Sequence, residues 1–167
     1  DALISAKFVG KGDEISLVTA KGQAIRFKET DVREMGRTAG GVTAMRMTKG
    51  DRIVAADVIS KDQKQSEILV VMEYGYGKTT PVKEYKVQKR GGSGIKTAKI
   101  TGKTGVVIGA AIVSSEDKAE GELVVMSKKG QVIKLPLKDV PSLGRQTQGV
   151  RVMKLRDSDS IASIVYF

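Results

Sequence analysis

The chain has no cysteine and no histidine. The first absence excludes disulfides and thiolate chemistry, and the second removes the commonest metal ligand and general base. Enzymes work without either, but a binding role gains weight over a catalytic one, and no cofactor or metal is implied. Aromatic residues make up only 4% of the sequence, which speaks against a single-strand nucleic-acid binder built on stacking platforms. No stretch approaches the run of about 18 uncharged apolar residues that spans a bilayer. Asp1-Ala2-Leu3-Ile4 carries neither the basic nor the apolar region of a signal peptide. A soluble, cytoplasmic protein with no membrane partner is expected. Because the first residue is Asp, a piece of a longer chain is expected too. What is present suffices for a core: 167 residues, 40% of them hydrophobic, suit a single domain.

The sequence repeats itself three times, from Glu14, Glu67 and Glu122, with starts 53 and 55 residues apart. Eight residues after each start stands a glycine (Gly22, Gly75, Gly130), and seventeen after it an acid (Asp31, Glu84, Asp139). Twenty-three after it is an arginine (Arg37, Arg90, Arg145), and four further on a glycine (Gly41, Gly94, Gly149) followed by Val42, Ile95 or Val150. A period near about 50 belongs to blade and solenoid architectures, in which a unit buries its apolar face only against a neighbour. The expected units are 14–66, 67–121 and 122–167.

Net charge is +10, and its distribution follows the repeat. Residues 76–103 hold eight Lys/Arg against one acid, residues 128–154 seven against one, and residues 21–52 eight against four, while the joints between them are slightly acidic. A lysine-rich surface kept positive for solubility is the bland reading. Recurrence in phase with the repeat favours a stripe of charge, the footprint of a polyanion binder.

Each unit reads as four short β segments. The first spans Ile15–Thr19, Ile68–Met72 and Leu123–Met126, and the second Ala24–Phe27, Thr79–Val82 and Val132–Leu135. Glycine turns join them as hairpins. The third spans Val42–Met47, Ile95–Ile100 and Val150–Leu155, and the fourth Ile53–Ile59, Val106–Val113 and Ile161–Tyr166. Helical periodicity is hard to find. Leu3–Phe8 matches the fourth segment, so residues 1–13 are expected to carry the last strand of a preceding blade. Alternation in the third segment puts Met45, Met47, Ala98, Ile100, Met153 and Leu155 on a core face and Arg46, Lys99 and Lys154 on the other. These three are candidate contacts, or else basic residues that discourage edge aggregation. Four-stranded units at this period predict an all-β, propeller-like array of about three blades, an open arc where closed propellers have about four to eight.

Gln88-Lys89-Arg90-Gly91-Gly92-Ser93-Gly94 combines small residues, which expose backbone N–H groups, with two cations suited to phosphate oxygens. A flexible turn explains the same residues. Gly77-Lys78-Thr79 and Gly102-Lys103-Thr104 end like a P-loop, but the glycine required five residues earlier is Met72 or Thr97, which argues against ATP binding. Asp31, Glu84 and Asp139 recur once per unit, as turn or salt-bridge residues do. Tyr74, Tyr76 and Tyr85 lie near the most basic stretch, where stacking on bases is conceivable. Duplex DNA held through its phosphates fits the composition better. The candidate contacts are Arg37, Arg46, Lys83, Lys89, Arg90, Lys96, Lys99, Lys138, Arg145, Arg151 and Lys154. An interaction module whose basic edge docks an acidic protein is the alternative, and self-association of the arc is a further possibility.

Gly36-Arg37-Thr38-Ala39-Gly40-Gly41-Val42, Gly75-Tyr76-Gly77-Lys78 with Glu84-Tyr85, and Gly144-Arg145-Gln146-Thr147-Gln148-Gly149-Val150 carry a resemblance that covers essentially the whole chain. The sequence resembles the carboxy-terminal domain of the A subunit of bacterial DNA gyrase and, less closely, that of the topoisomerase IV C subunit. The resemblance implies a β-pinwheel, whose blades exchange strands and whose basic rim wraps duplex DNA for ATP-driven negative supercoiling. It also implies the remainder of gyrase A and gyrase B as partners, a bacterial nucleoid-associated location, and no catalysis by this part. Residues 88–94 look like the family's wrapping box, Q-R-R-G-G-K-G, with Lys89 for the first arginine and Ser93 for the lysine. The family's box lies in the first of about six blades, whereas this loop lies in the middle unit, so the chain aligns with the last three.

Overall fold

The computed structural model describes residues 2–63 and 65–167. Each repeat opens with an antiparallel hairpin: β1 (Glu14–Thr19) with β2 (Gln23–Lys28). In the second repeat β4 (Glu67–Met72) pairs with β5 (Tyr76–Pro81), and in the third β8 (Glu122–Ser127) pairs with β9 (Val132–Pro136). An inner strand lies on the other side of each: β3 (Ile53–Ile59) on β1, β7 (Val107–Val113) on β4 and β11 (Ile161–Tyr166) on β8. Pro81 and Pro136 end β5 and β9, since proline cannot donate to the ladder. In each repeat a single 3-10 turn follows the second strand, at Glu29–Asp31, Val82–Glu84 and Leu137–Asp139.

The third segment departs from the expected four strands per unit. Strand β6 (Ile95–Lys96) pairs with β2 of the first repeat, and β10 (Val150–Arg151) pairs with β5 of the second. The sheets therefore run β3-β1-β2-β6, β10-β5-β4-β7 and β11-β8-β9, so two of them take their outer strand from the following repeat. Val42–Met47 forms no strand, since in this sequence there is no second strand of an earlier repeat for it to pair with. Leu3–Phe8 forms none either; Ser5 donates to the Ala56 carbonyl at 3.1 Å and Lys7 pairs with Asp57 at 3.4 Å, which lays this segment along β3. The pairing of β6 is only two residues long because the amides of Thr97 and Ala98 both turn to the Gly22 carbonyl, at 2.8 and 3.4 Å.

Burial follows the exchange. One core cluster joins Val18, Ala24 and Ile59 of the first repeat to Ile68, Val70, Met72, Val82, Tyr85 and Ala98 of the second. Another joins Leu69, Val71 and Val113 of the second to Leu123, Val125, Leu137 and Met153 of the third. The cores thus lie between sheets, as expected when one unit cannot cover its own apolar face. Met45, Ala98 and Met153 are buried and Ile100 and Leu155 half-buried, but Met47 is 44% exposed. Its counterpart Ile100 sits over Gly22 of the preceding repeat; nothing equivalent lies beneath Met47.

One short helix, α1 (Ser115–Glu120), interrupts the strands of this all-β chain. Its signal is local: the Ser114 hydroxyl accepts the Asp117 amide at 3.0 Å while the Asp117 carboxylate accepts the Ser114 amide at 3.2 Å, a capping box. From α1, Lys118 reaches Thr79 Oγ1 at 2.9 Å, the Val140 carbonyl, and Glu67 at 3.9 Å, tying the second and third repeats together.

Two features hold the loops between second and third segments in place. Gly94 has φ +75°, and a Cβ there would lie 2.5 Å from the Ala24 carbonyl oxygen of the preceding repeat. Gly41 has φ +80° at the same repeat position but meets nothing within 4 Å. The other is Lys78, fully buried in β5, whose Nζ donates to the carbonyls of Gly144 and Arg145 (both 2.7 Å) and to Thr147 Oγ1 (3.1 Å). Burial pulls its ammonium from the ordinary 10.5 down to about 8, against the opposing pull of Glu84.

Gly94→Ala is expected to lower stability by more than about 2 kcal/mol, and Gly41→Ala, which adds only left-handed strain, by about 1 kcal/mol in urea unfolding. Equal losses would contradict the close-approach account. Lys78 gives a pH signature. Below pH about 8 the folded and unfolded chains both hold its proton; between there and the ordinary 10.5 the unfolded chain binds a proton that the folded chain has released. The wild type should therefore gain stability relative to Lys78→Met as pH rises through that window, and a constant difference would count against it.

Candidate nucleic-acid interface

The loops that follow the second strands, residues 36–41, 89–94 and 144–149, form one edge of the array. Each later loop folds back on the repeat before it: the Gln88 amide donates to the Arg26 carbonyl at 2.7 Å, and the Leu143 amide to the Thr79 carbonyl at 2.8 Å. The earlier repeat reaches forward in turn. The Gly91 amide donates to the Ala44 carbonyl at 2.8 Å and the Arg46 amide to the Gly92 carbonyl at 2.9 Å, and at the next joint the Lys99 amide donates to the Thr147 carbonyl at 3.0 Å. Main-chain bonds thus fasten the second and third loops to the second strand and third segment of the repeat before each.

The side chains of Arg37, Arg46, Lys83, Lys89, Lys96, Lys99, Lys138, Arg151 and Lys154 are exposed on residues of these loops, of the 3-10 turns, or of the third segments, which begin with β6 and β10 in the second and third repeats. Local structure turns them outward. In the 3-10 turns Val82 and Leu137 enter the core, so Lys83 and Lys138 beside them face solvent. Among the described residues four ion pairs form, Lys7–Asp57, Arg26–Glu14, Lys118–Glu67 and Lys134–Glu122, and none involves a rim candidate. The acids at the start of each repeat neutralise cations on the strands and on α1.

Arg90 and Arg145 differ from the rest, being half-buried. Arg90 Nε donates to the Asp31 carbonyl at 2.9 Å and its Nη1 to the Thr43 carbonyl at 2.5 Å. Arg145 Nη1 donates to the Lys96 carbonyl at 2.8 Å, with its guanidinium 5.9 Å from the centre of the Tyr85 ring. The recurring acids serve the same joint: Asp31 accepts the Arg90 amide at 3.2 Å and Glu84 the Arg145 amide at 3.3 Å. In residues 88–94 the amides of Gln88, Arg90 and Gly91 are therefore turned inward, Gly92 packs near Ile25 and Gly94 against β2. Lys89 and Ser93 are the exposed residues of that loop.

Several residues fall elsewhere than the sequence suggested. Tyr85 is buried, its hydroxyl 2.5 Å from Thr97 Oγ1, and burial pushes its phenol up. Tyr76 is buried beneath Arg151, and only Tyr74 of the three tyrosines is well exposed. Lys78 and Arg26, counted with the basic clusters, are structural: Arg26 pairs with Glu14 and donates to the carbonyls of Val82 and Tyr85 at 3.0 Å. The signal for Lys78 was its repeat position, held by Ile25 and Ile133 in the other units. Among the described residues no group of three or more Cys, Asp or Glu side chains is placed to hold a metal ion, and no helix is long and apolar enough to cross a membrane.

The family model for the DNA gyrase C-terminal domain, beta-propeller, matches residues 13–60, 75–114 and 121–166, so α1 lies outside the matched segments. The DNA gyrase A subunit of Staphylococcus epidermidis (strain ATCC 12228 / FDA PCI 1200) is 40% identical over 164 residues, which are 98% of this chain and 18% of that protein. The DNA gyrase A subunit of Lawsonia intracellularis is 44% identical over 157 residues, 94% of this chain and 19% of that protein. This chain thus spans less than a fifth of the relatives it matches. A solved DNA gyrase A C-terminal domain superposes with a TM-score of 0.83 at 30% identity, covering 95% of this chain and 52% of that one. The C-terminal domain of DNA topoisomerase IV gives the same TM-score at 22% identity, over 92% and 46%, a likeness of fold. With strands exchanged between successive sheets and the family pattern matched across all three repeats, the chain belongs to the DNA gyrase C-terminal domain family and has its β-pinwheel fold.

Proposed function

We propose that this chain is a non-catalytic module that binds and wraps duplex DNA with little regard to sequence, within the A subunit of a gyrase-type, ATP-dependent type IIA topoisomerase. In that role it supports negative supercoiling in the bacterial cytoplasm, at the nucleoid, together with the rest of gyrase A and gyrase B. Units 14–66, 67–121 and 122–167 act as one array, with residues 1–13 as the flank of a preceding blade. The observation that carries the reading is the rim itself. Its exposed cations recur in each repeat on and beside loops, the later two of which main-chain bonds fasten to the repeat before, with no acid paired to these cations among the described residues.

Phosphate recognition suits this arrangement. Lysine and arginine side chains meet a uniform phosphate array at many points without reading bases. Arg46, Lys99 and Lys154 supply one contact per repeat, and Lys83, Lys138, Lys96, Arg151, Lys89 and Arg37 lie on the turns, strands and loops beside them; Arg90 and Arg145 stand at the joints, where their guanidinium groups hold carbonyls. Residues 88–94 form a box-like loop of a later blade and present Lys89 outward.

If about four to six phosphates are engaged at once, log affinity should fall against log salt with a slope of roughly −4 to −5. Replacing Arg46, Lys99 and Lys154 together by Ala should make that slope shallower by about 2.7. Anisotropy titrations of a labelled duplex across salt measure both; salt-independent binding rejects the reading, and tighter binding of an acidic protein than of duplex would favour the docking alternative. Wrapping is tested separately by ligating nicked plasmid on the protein and comparing linking number with a protein-free control. A shift is expected, and binding without one reduces the module to electrostatic adhesion.

A further inference from the structure

We infer that the repeated arginine is a positioning residue that staples the neck of the rim loop in the repeat before it, and is not itself a phosphate contact. The inference rests on the DNA-binding reading for what the loop does, though not for the staple. Asp31 and Thr43, the two residues whose carbonyls Arg90 holds, stand on either side of the first repeat's loop. One guanidinium from the second repeat therefore bridges the point where that loop leaves the blade and the point where it returns. At the next joint Arg145 spans the same two sides with its side chain and its main-chain amide together. Its Nη1 holds the Lys96 carbonyl, which occupies the repeat position of Thr43; its amide is held by Glu84, at the repeat position of Asp31; and its guanidinium lies over Tyr85.

A planar fork of five donors suits this task, because a bridge between two carbonyls needs two N–H groups at a fixed angle. Lysine has the charge but not the fork. Half-buried and turned to carbonyls, Arg90 and Arg145 are poorly placed to follow a phosphate, unlike the exposed lysines. Arg37 is the internal contrast. It holds the same repeat position, no loop precedes it in this chain, and its side chain is exposed.

The test compares the full chain with Arg90→Ala and Arg90→Lys. For each we would measure hydrogen exchange across residues 32–46 and the salt slope for a short duplex. The staple predicts that both variants exchange faster in that segment, by about tenfold or more, with the second and third sheets unchanged. It also predicts that both weaken duplex binding by a similar factor, about threefold, at an unchanged slope. A phosphate contact predicts the reverse: exchange unaltered, a slope shallower by about 0.9 in Arg90→Ala, and recovery in Arg90→Lys. That pattern overturns the inference. Arg145→Ala and Arg145→Lys repeat the test at residues 85–99, should Arg90→Ala fail to fold. If the wild type does not bind duplex DNA, the proposed function fails, and exchange at residues 32–46 still decides the staple.

Discussion

The array depends on one pairing, the hydrogen bonding of each second strand to a segment of the repeat that follows. A sheet edge left unpaired exposes a row of donors and acceptors that invites non-specific association. Here β2 and β5 have theirs covered by β6 and β10. Because the covering segment comes from the next unit, no repeat in this chain finishes its sheet alone. The consequence reaches the core, whose two larger clusters each take residues from adjoining repeats. It reaches the rim as well, since the loop leading into each exchanged strand must cross the joint and is bonded on both sides of it.

That pairing explains which parts were legible in the sequence. The first, second and fourth segments follow from local alternation and glycine turns, and they form strands close to where they were expected. The third segment reads equally well as a strand, but its partner lies in another repeat, and alternation carries no information about partners. Val42–Met47 shows the difference: its pattern matches Ile95–Ile100, yet without the second strand of an earlier repeat to pair with it stays irregular. The same reasoning covers Met47, whose pattern is that of a core residue and whose surroundings are solvent. Helix α1 escaped notice because six residues are too short for helical periodicity to register; its capping box, Ser114 to Asp117, was the available sign. At the rim, residue type announced positive charge but could not separate exposed lysines from Lys78, Arg26 and the two half-buried arginines. That separation depends on burial, which only the repeat position hinted at.

The distribution of acids has the same origin. Glu14 and Glu122 pair with Arg26 and Lys134, cations diagonally across from them in their own hairpins. The second repeat has Thr79 at that position, and its Glu67 meets Lys118 from α1 instead. The helix thus supplies, from the joint with the third repeat, a cation that the other repeats carry on a strand. Partly buried carboxylates need such partners, since desolvation penalises a lone charge far more than a paired one. These structural pairs, and the bonds of Asp31 and Glu84 to amides at the joints, occupy acids that would otherwise be available to the outward cations.

In the proposed wrapping role, continuity matters more than the strength of any one patch. A single exposed ion pair contributes little in water, and one repeat offers only a few exposed cations. Counterion release, however, accumulates with the number of phosphates neutralised, so identical patches gain by being held in register. Register here is a property of the joints: main-chain bonds set each later loop against the repeat before it, and Arg90 and Arg145 bind the loop bases across the same seams. The residues that recur most strictly are therefore those at the seams, the glycine, the acid and the arginine. The exposed cations are free to vary between lysine and arginine, as Arg46, Lys99 and Lys154 do, because a phosphate demands charge and reach more than shape.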